Sequence, residues 1–165
     1  MIDFALTADA VAPQLLGCTL THAGVSIRLT EVEAYLGAED SAAHTFNGKT
    51  PRNAAMFGPP GRFYVYISYG IHRNVNIVCA PEGTGQGCLL RGGEIIEGAD
   101  TAFARRGTSD FHNLARGPGN LGKALGFTLE DNHQPIQIVE RTSEPEWVRG
   151  PRIGISNNKE APLRF

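Results

Sequence analysis

Two glutamates and four tyrosines carry the chemistry that this sequence can do. Glu31 and Glu33 open the segment EVEAYLGAEDSAAH, which runs from Glu31 to His44 and includes Tyr35. The segment FYVYISYGIHRNVN, from Phe63 to Asn76, holds Tyr64, Tyr66 and Tyr69, and the 165 residues contain no other tyrosine. Aromatic faces beside a carboxylate suit a flat, electron-poor ring held next to a bond to be hydrolysed. A nucleobase answers that description better than a sugar or a peptide.

Cleaving a glycosidic bond passes through an oxocarbenium-like state. A carboxylate beside C1′ stabilises that charge and can activate a water. O-glycosides usually need a second carboxyl group to protonate a poor leaving group. A purine alkylated at N3 or N7 is already cationic and leaves without that help, so one carboxylate and a stacking pocket suffice. A base inside a duplex must first be flipped out, and an apolar or aromatic wedge fills the gap. The only lysines, Lys49, Lys123 and Lys159, lie outside the Glu/Tyr segments. A glycosylase/lyase needs an amine nucleophile, so water is the expected nucleophile.

Two other readings stand beside this one. A strand i, i+2 pair such as Glu31 and Glu33 has Cα atoms roughly 6.5–7 Å apart, within the range that O-glycosidases use. That reading leaves the tyrosine cluster unexplained. A stacking platform alone gives a non-catalytic nucleic-acid-binding module.

The elements must bring these residues together. A helix is expected over residues 9–16, capped by Asp9, with Pro13 near its first turn and Gly17 closing it. Strands are expected over residues 18–20 and 25–35. In the second, Val25, Ile27 and Leu29 share a parity that places Glu31, Glu33 and Tyr35 on the same face. An apolar face turning into carboxylates runs from a core into a cleft. A bulge would instead flip the register, turn both glutamates to water and bury Val32 and Ala34.

TPRNAAMFGPPG reads as a short helix with Thr50 as N-cap and Pro51 as its first residue. Residues 63–69 form a strand with Tyr64 and Tyr66 on one face, and residues 74–79 are its hairpin partner. By parity Tyr69 is a sheet aromatic; beside Gly70 it could instead project from the hairpin tip. A strand over 87–91, a helix over 94–105 and a short helix capped by Asn120 follow, with late strands over 135–139 and 152–155. The sum is an α+β fold in a single domain, a mostly antiparallel curved sheet with short helices packed around it and a protruding β-hairpin.

Composition narrows the class. Hydrophobic content of 41% and charged content of 19% are those of a soluble domain with a real core. No apolar run approaches a membrane span, and the start MIDFALTADA has no secretory pattern. Cys18, Cys79 and Cys88 are scattered and read as reduced core thiols, and the five histidines lack metal-ligand spacing. A net charge of −2 counts against coating nucleic acid non-specifically, though not against a local basic face.

EVEAYLGAEDSAAH, TPRNAAMF, PGRFYVYISYG and CLLRGGEIIEG together closely resemble the alkyladenine (3-methyladenine) DNA glycosylase family in its compact bacterial form. The resemblance is ordered and runs from Leu15-Leu16-Gly17 through PRIGIS (151–156) to PLRF (162–165). Several separate segments at family-like spacing make it specific. It implies a monofunctional enzyme that excises alkylated or deaminated purines. Glu33 would then be the general base, and Arg91 would hold the attacking water and the carboxylate. Tyr35 and Tyr66 would sandwich the flipped base, with His44 on a third side. Tyr69 would intercalate where the base has left, against what parity favours. Asn76 would clash with the exocyclic amine of normal guanine. Glu31 would be structural or would tune Glu33 as a nearby like charge.

From the residues themselves, Gly117 and Gly119 ahead of a helix can offer N–H groups to a phosphate. Arg52, Arg73 and Lys49 can reach the DNA backbone. A capped loop and solvated surface charges are the alternatives. The implied partner is double-stranded DNA with a damaged purine, bound by a cytoplasmic, nucleoid-associated monomer without membrane, metal or cofactor. Family members continue past the PLRF-like segment with a short tail, so the cover of the last strand is expected to be incomplete.

Overall fold

Alternating β-branched and aromatic residues make strands of the segments that carry the candidate residues. The computed structural model describes residues 1–165. In chain order it contains α1 (Ala8–Leu15), β1 (Thr19–His22), β2 (Val25–Tyr35), β3 (Phe63–Ser68), β4 (His72–Cys79), β5 (Gln86–Glu97), α2 (Ala99–Arg106), α3 (Pro118–Ala124) and β6 (Ile138–Val139). The strands form one antiparallel sheet in the order β3-β4-β5-β2-β1-β6. One sheet and three short helices give the expected α+β class.

The sheet has a core face and a site face. Val25, Ile27 and Leu29 of β2, Val65 of β3, Val75 and Ile77 of β4 and Leu90 of β5 are buried with Val11 and Leu15 of α1 and Leu121 of α3. Strand alternation turns the intervening residues to the other side: Tyr64 and Tyr66 on β3, Asn74 and Asn76 on β4, Leu89 and Arg91 on β5.

On β2 the simple parity fails. Val32 and Ala34 are fully buried and join the same core as Val25, Ile27 and Leu29. The register against β5 shifts on both sides of Glu31, at the Leu29/Glu31 and Glu31/Val32 steps. This irregularity moves Glu33 and Tyr35 to the face opposite the apolar residues, and yet Glu33 does not reach water: its exposure is 0%. A change of partner accompanies the shift. The first part of β2 pairs with β1, whereas Val32 exchanges backbone hydrogen bonds with Phe165 at 2.8 and 3.0 Å. The chain's last residues thus lie along the part of β2 that holds Glu33.

Other elements differ from expectation for local reasons. Residues 94–97 extend β5 instead of starting a helix, because Glu94 and Ile95 pair with Arg28 and Ile27. Residues 50–61 hold only a 3-10 turn, Ala54–Phe57. Thr7, not Asp9, precedes α1, and Pro13 lies inside it. Gly117 rather than Asn120 is the N-cap of α3. Residues 152–155 form no strand and run as a loop across the site face.

Candidate active site

Glu33 is a fully buried carboxylate that accepts two hydrogen bonds and faces a guanidinium. Oε1 accepts the Tyr35 hydroxyl at 3.0 Å. Oε2 accepts the Ile153 backbone N–H at 2.8 Å. Arg91 Nη1 lies 3.5 Å from Oε1. Burial pushes the Glu33 pKa above its ordinary value, and the Ile153 N–H, the Arg91 charge and the Tyr35 hydroxyl pull it back. The net shift is upward.

Glu31 has a different task. Its Oε1 accepts Arg91 Nε at 3.1 Å and Arg164 Nη1 at 3.4 Å. Arg91 therefore spans both glutamates, with Nε on Glu31 and Nη1 on Glu33. The two carboxylates do not form an exposed pair: one is about a third exposed, the other not at all.

Tyr35, Arg91 and Ile153, which hold Glu33, also line a cavity of about 410 Å³. His44, Tyr64, Tyr66, Asn74, Asn76 and Leu89 complete much of its wall. The volume is that of a small-molecule site. His44 packs edge-on against Tyr66 with ring centroids 4.3 Å apart. Partial burial of its ring, then the Arg52 charge, push its pKa down, so the imidazole is neutral at pH 7. Tyr64 stacks near Tyr66 at 5.7 Å, and burial raises its pKa to about 12. Burial also raises Tyr35 and Tyr66, so all three phenols stay protonated.

The wall is braced from behind. Arg152 lies 4.6 Å from the centroid of the Tyr35 ring and forms a bidentate pair with Asp40 at 2.5 and 2.8 Å. Both side chains are completely buried. Asp40 also accepts from Leu36 N–H, Ala42 N–H and Asn158 Nδ2, which shapes the turn between Tyr35 and His44. Asn53 Nδ2 donates to the His44 and Gly48 carbonyls, each at 3.1 Å, and fixes the His44 loop.

Asn76 is 3% exposed, and its Nδ2 donates to the Tyr64 carbonyl at 3.2 Å. Its amide is thereby held at the cavity wall. Asn74, which the sequence did not single out, donates from Nδ2 to the Tyr66 hydroxyl at 3.1 Å. Asp40 and Arg152 were also missed, and Tyr64, counted among the four tyrosines, was given no role of its own. For Asn74 the available signal was its i, i+2 spacing from Asn76 on one strand face.

Tyr69 sits in the turn between β3 and β4. Ile71 N–H donates to the Ser68 carbonyl at 3.2 Å, and both central residues have positive φ, Tyr69 at 50° and Gly70 at 72°. Such a turn favours Asn-Gly, because a bulky L-residue strains at the first position. Tyr69 is nonetheless 88% exposed. Its ring borders the cavity and gains no core packing in return for the strain.

The remaining candidates lie apart from the carboxylate. Arg52 donates to the Ile67 carbonyl at 2.8 Å, bracing β3 outside the cavity wall. Arg73 is exposed on the other flank of the turn. Gly117 precedes Pro118, which reaches the cavity. A Cβ on Gly119 would lie 2.7 Å from His72 Nδ1, so close packing of α3 on β4 accounts for that glycine. Among the His, Cys, Asp and Glu side chains no group of three could hold a metal ion. No helix is long and apolar enough to cross a membrane.

An aromatic cavity backed by a buried carboxylate could hold a flat ring beside a bond to be hydrolysed. Comparison with known proteins narrows this chemistry. The family model for methylpurine-DNA glycosylase matches residues 2–165, and the chain belongs to that family of DNA glycosylases. A relative from Corynebacterium efficiens is 67% identical, covering 99% of this chain and 89% of its own length. One from Corynebacterium glutamicum is 65% identical, covering 99% and 90%. One from Rhodopseudomonas palustris is 47% identical, covering 98% and 81%. Each bears the name "Putative 3-methyladenine DNA glycosylase".

Proposed function

We propose that the protein is a monofunctional glycosylase that removes alkylated or deaminated purines, 3-methyladenine among them, from double-stranded DNA. The damaged base is flipped into the cavity, and water attacks C1′. The observation that carries this reading is the position of Glu33 directly behind the aromatic wall, fixed by three residues that line the cavity.

Glu33 takes the proton from the water and balances charge at C1′. Arg91, anchored on Glu31, holds the water and favours the ionised form of Glu33. Tyr35 and Tyr66 stack on the base and favour a cationic purine through their ring faces. His44 is neutral, so it closes the third side without repelling that cation. The fixed amide of Asn76 excludes the 2-amino group of normal guanine. Tyr69 fills the gap left in the duplex. Arg52, Arg73, Gly117 and Gly119, the last two at the start of α3, hold the DNA backbone. The protein acts as a monomer.

Glu33→Gln tests the reading. It keeps the shape and loses the base, so DNA binding persists while base release from duplexes with 7-methylguanine or hypoxanthine falls by about 10²–10⁴-fold. Glu31→Gln costs far less, since Arg91 keeps Glu33. Equal losses would point to a paired-carboxylate glycosidase instead. No lysine lines the cavity. Borohydride therefore traps no covalent complex with the DNA product, and a trapped complex would name an amine as nucleophile.

A further inference from the structure

A second cleft, beyond the turn that carries Tyr69, concentrates basic charge that the cavity does not use. It holds about 520 Å³ between the start of β4, the end of α2 and helix α3. Arg73, Arg105, Arg106 and Lys123 line it with His72 and Asn120, and no carboxylate does. The ion pairs of the chain all involve other residues. Two of the four cations are held rigidly without being neutralised. Arg105 donates to the Ala124 and Ala23 carbonyls at 3.1 and 2.7 Å, and Arg106 to the Leu114 and Asn113 carbonyls, both at 3.1 Å. Arg73 and Lys123 are exposed. In a chain of net charge −2, four cations in one cleft make a local positive field.

The turn separates cleft from cavity. Ser68, Tyr69 and Asn74 line the cavity, while Ile71, His72 and Arg73 line the cleft. Helix α3 does the same: Pro118 borders the cavity, and Gly119, Asn120 and Lys123 border the cleft.

A wedge in the minor groove has one sugar–phosphate strand on each flank. The strand that gives up its base must lie on the cavity flank. The cleft flank then faces the complementary strand. We propose that the cleft formed by Arg73, Arg105, Arg106 and Lys123 binds phosphates of the strand opposite the lesion. The proposal rests on Tyr69 being the wedge. Guanidinium and ammonium groups lining one cleft suit phosphate oxygens, and continuity with the wedge selects DNA over an acidic protein.

The test varies protein and DNA together. Lys123→Gln and Arg106→Gln, singly and combined, are titrated with lesion duplexes in which neutral methylphosphonates replace phosphates of one strand or the other. Lys123 is exposed on the last turn of α3, so its substitution leaves the fold intact even if that of Arg106 does not. Lys123→Gln should weaken duplex binding and lower the slope of log affinity against log salt by about one. Neutral links in the complementary strand should weaken binding of the parent protein and affect the variants less. Neutral links in the lesion strand should weaken all alike, and single-stranded DNA should not distinguish the proteins. Coupling to the lesion strand, coupling to neither strand, or tighter binding of polyglutamate than of duplex DNA would overturn the proposal. Base release by the parent protein is followed in parallel. Its absence would count against the glycosylase reading, while the strand coupling is read from binding alone.

Discussion

Glu33 combines the requirements of a base and of a buried group. Burial raises its pKa, and base release by our mechanism needs it ionised. Activity should therefore fall as pH drops through that raised value, at a higher pH than an ordinary glutamate, near ~4.3, would give. Arg91 favours the carboxylate, so Arg91→Gln should move this acidic limb to still higher pH besides lowering the plateau. Single-turnover base release measured against pH reads both effects. A limb that stays in place in Arg91→Gln would belong to another group. The same geometry explains Glu31: with Arg91 and Arg164 on it, the residue orients the guanidinium that also faces Glu33.

The informative element is the β3–β4 turn. Its positive φ angles at Tyr69 and Gly70 suit Asn-Gly, and a tyrosine at the first position costs about 1 kcal/mol of backbone strain. Strain held at an exposed ring points to function over stability. Tyr69→Asn should raise stability by about 0.5–1 kcal/mol, because asparagine tolerates this conformation. It should also lower excision from duplex DNA much more than from single strands, since only a duplex leaves a gap to fill. Urea unfolding and the duplex to single-strand rate ratio check the two halves. A stability loss, or equal rate losses on both substrates, would make Tyr69 a packing residue. The irregularity in β2 plays a comparable part, lodging a carboxylate on the face opposite the core without exposing it to solvent.

At the scale of the whole molecule, the buried Asp40–Arg152 pair joins the loop at residues 36–42 to the loop at residues 151–158, and both border the cavity. Burial alone would raise the Asp40 carboxyl, but the hydrogen bonds from Arg152, Asn158 and the Leu36 N–H outweigh it and hold it at about 2. Its folded pKa thus lies below the unfolded value of ~3.9. The stabilisation is present above the unfolded value and lost as pH falls toward the folded one. Asp40→Asn would leave a buried guanidinium without its counter-charge, at a cost of about 3–5 kcal/mol. A domain of this size then melts about 10 °C lower at pH 7. The gap to the parent protein should narrow as pH is taken from 4 toward 2, and thermal unfolding across that range measures it. A gap that is constant with pH would mean that the pair contributes through packing.

The sequence alone determined the residue inventory and the order of most strands. Val25 to Tyr35 reads as one strand, Phe63 onward as a hairpin, and Tyr64 and Tyr66 as sharing a face, because strand periodicity is a property of the local chain. The family resemblance was legible in motifs for the same reason: they are short and contiguous. Tertiary structure alone decided the face on which Glu33 lies. Period-two counting places it with Ile27 and Leu29, but two register shifts around Glu31 against β5 reverse the parity, and such shifts follow from which strands pair and where. The packing of Arg152 on Tyr35 was likewise invisible, as the two stand more than a hundred positions apart and meet only when the chain's last residues fold back along β2. The basic cleft has the same origin: Arg73, Arg105, Arg106 and Lys123 look like scattered surface charges until helix α3 packs on β4 and brings them to one flank of the turn.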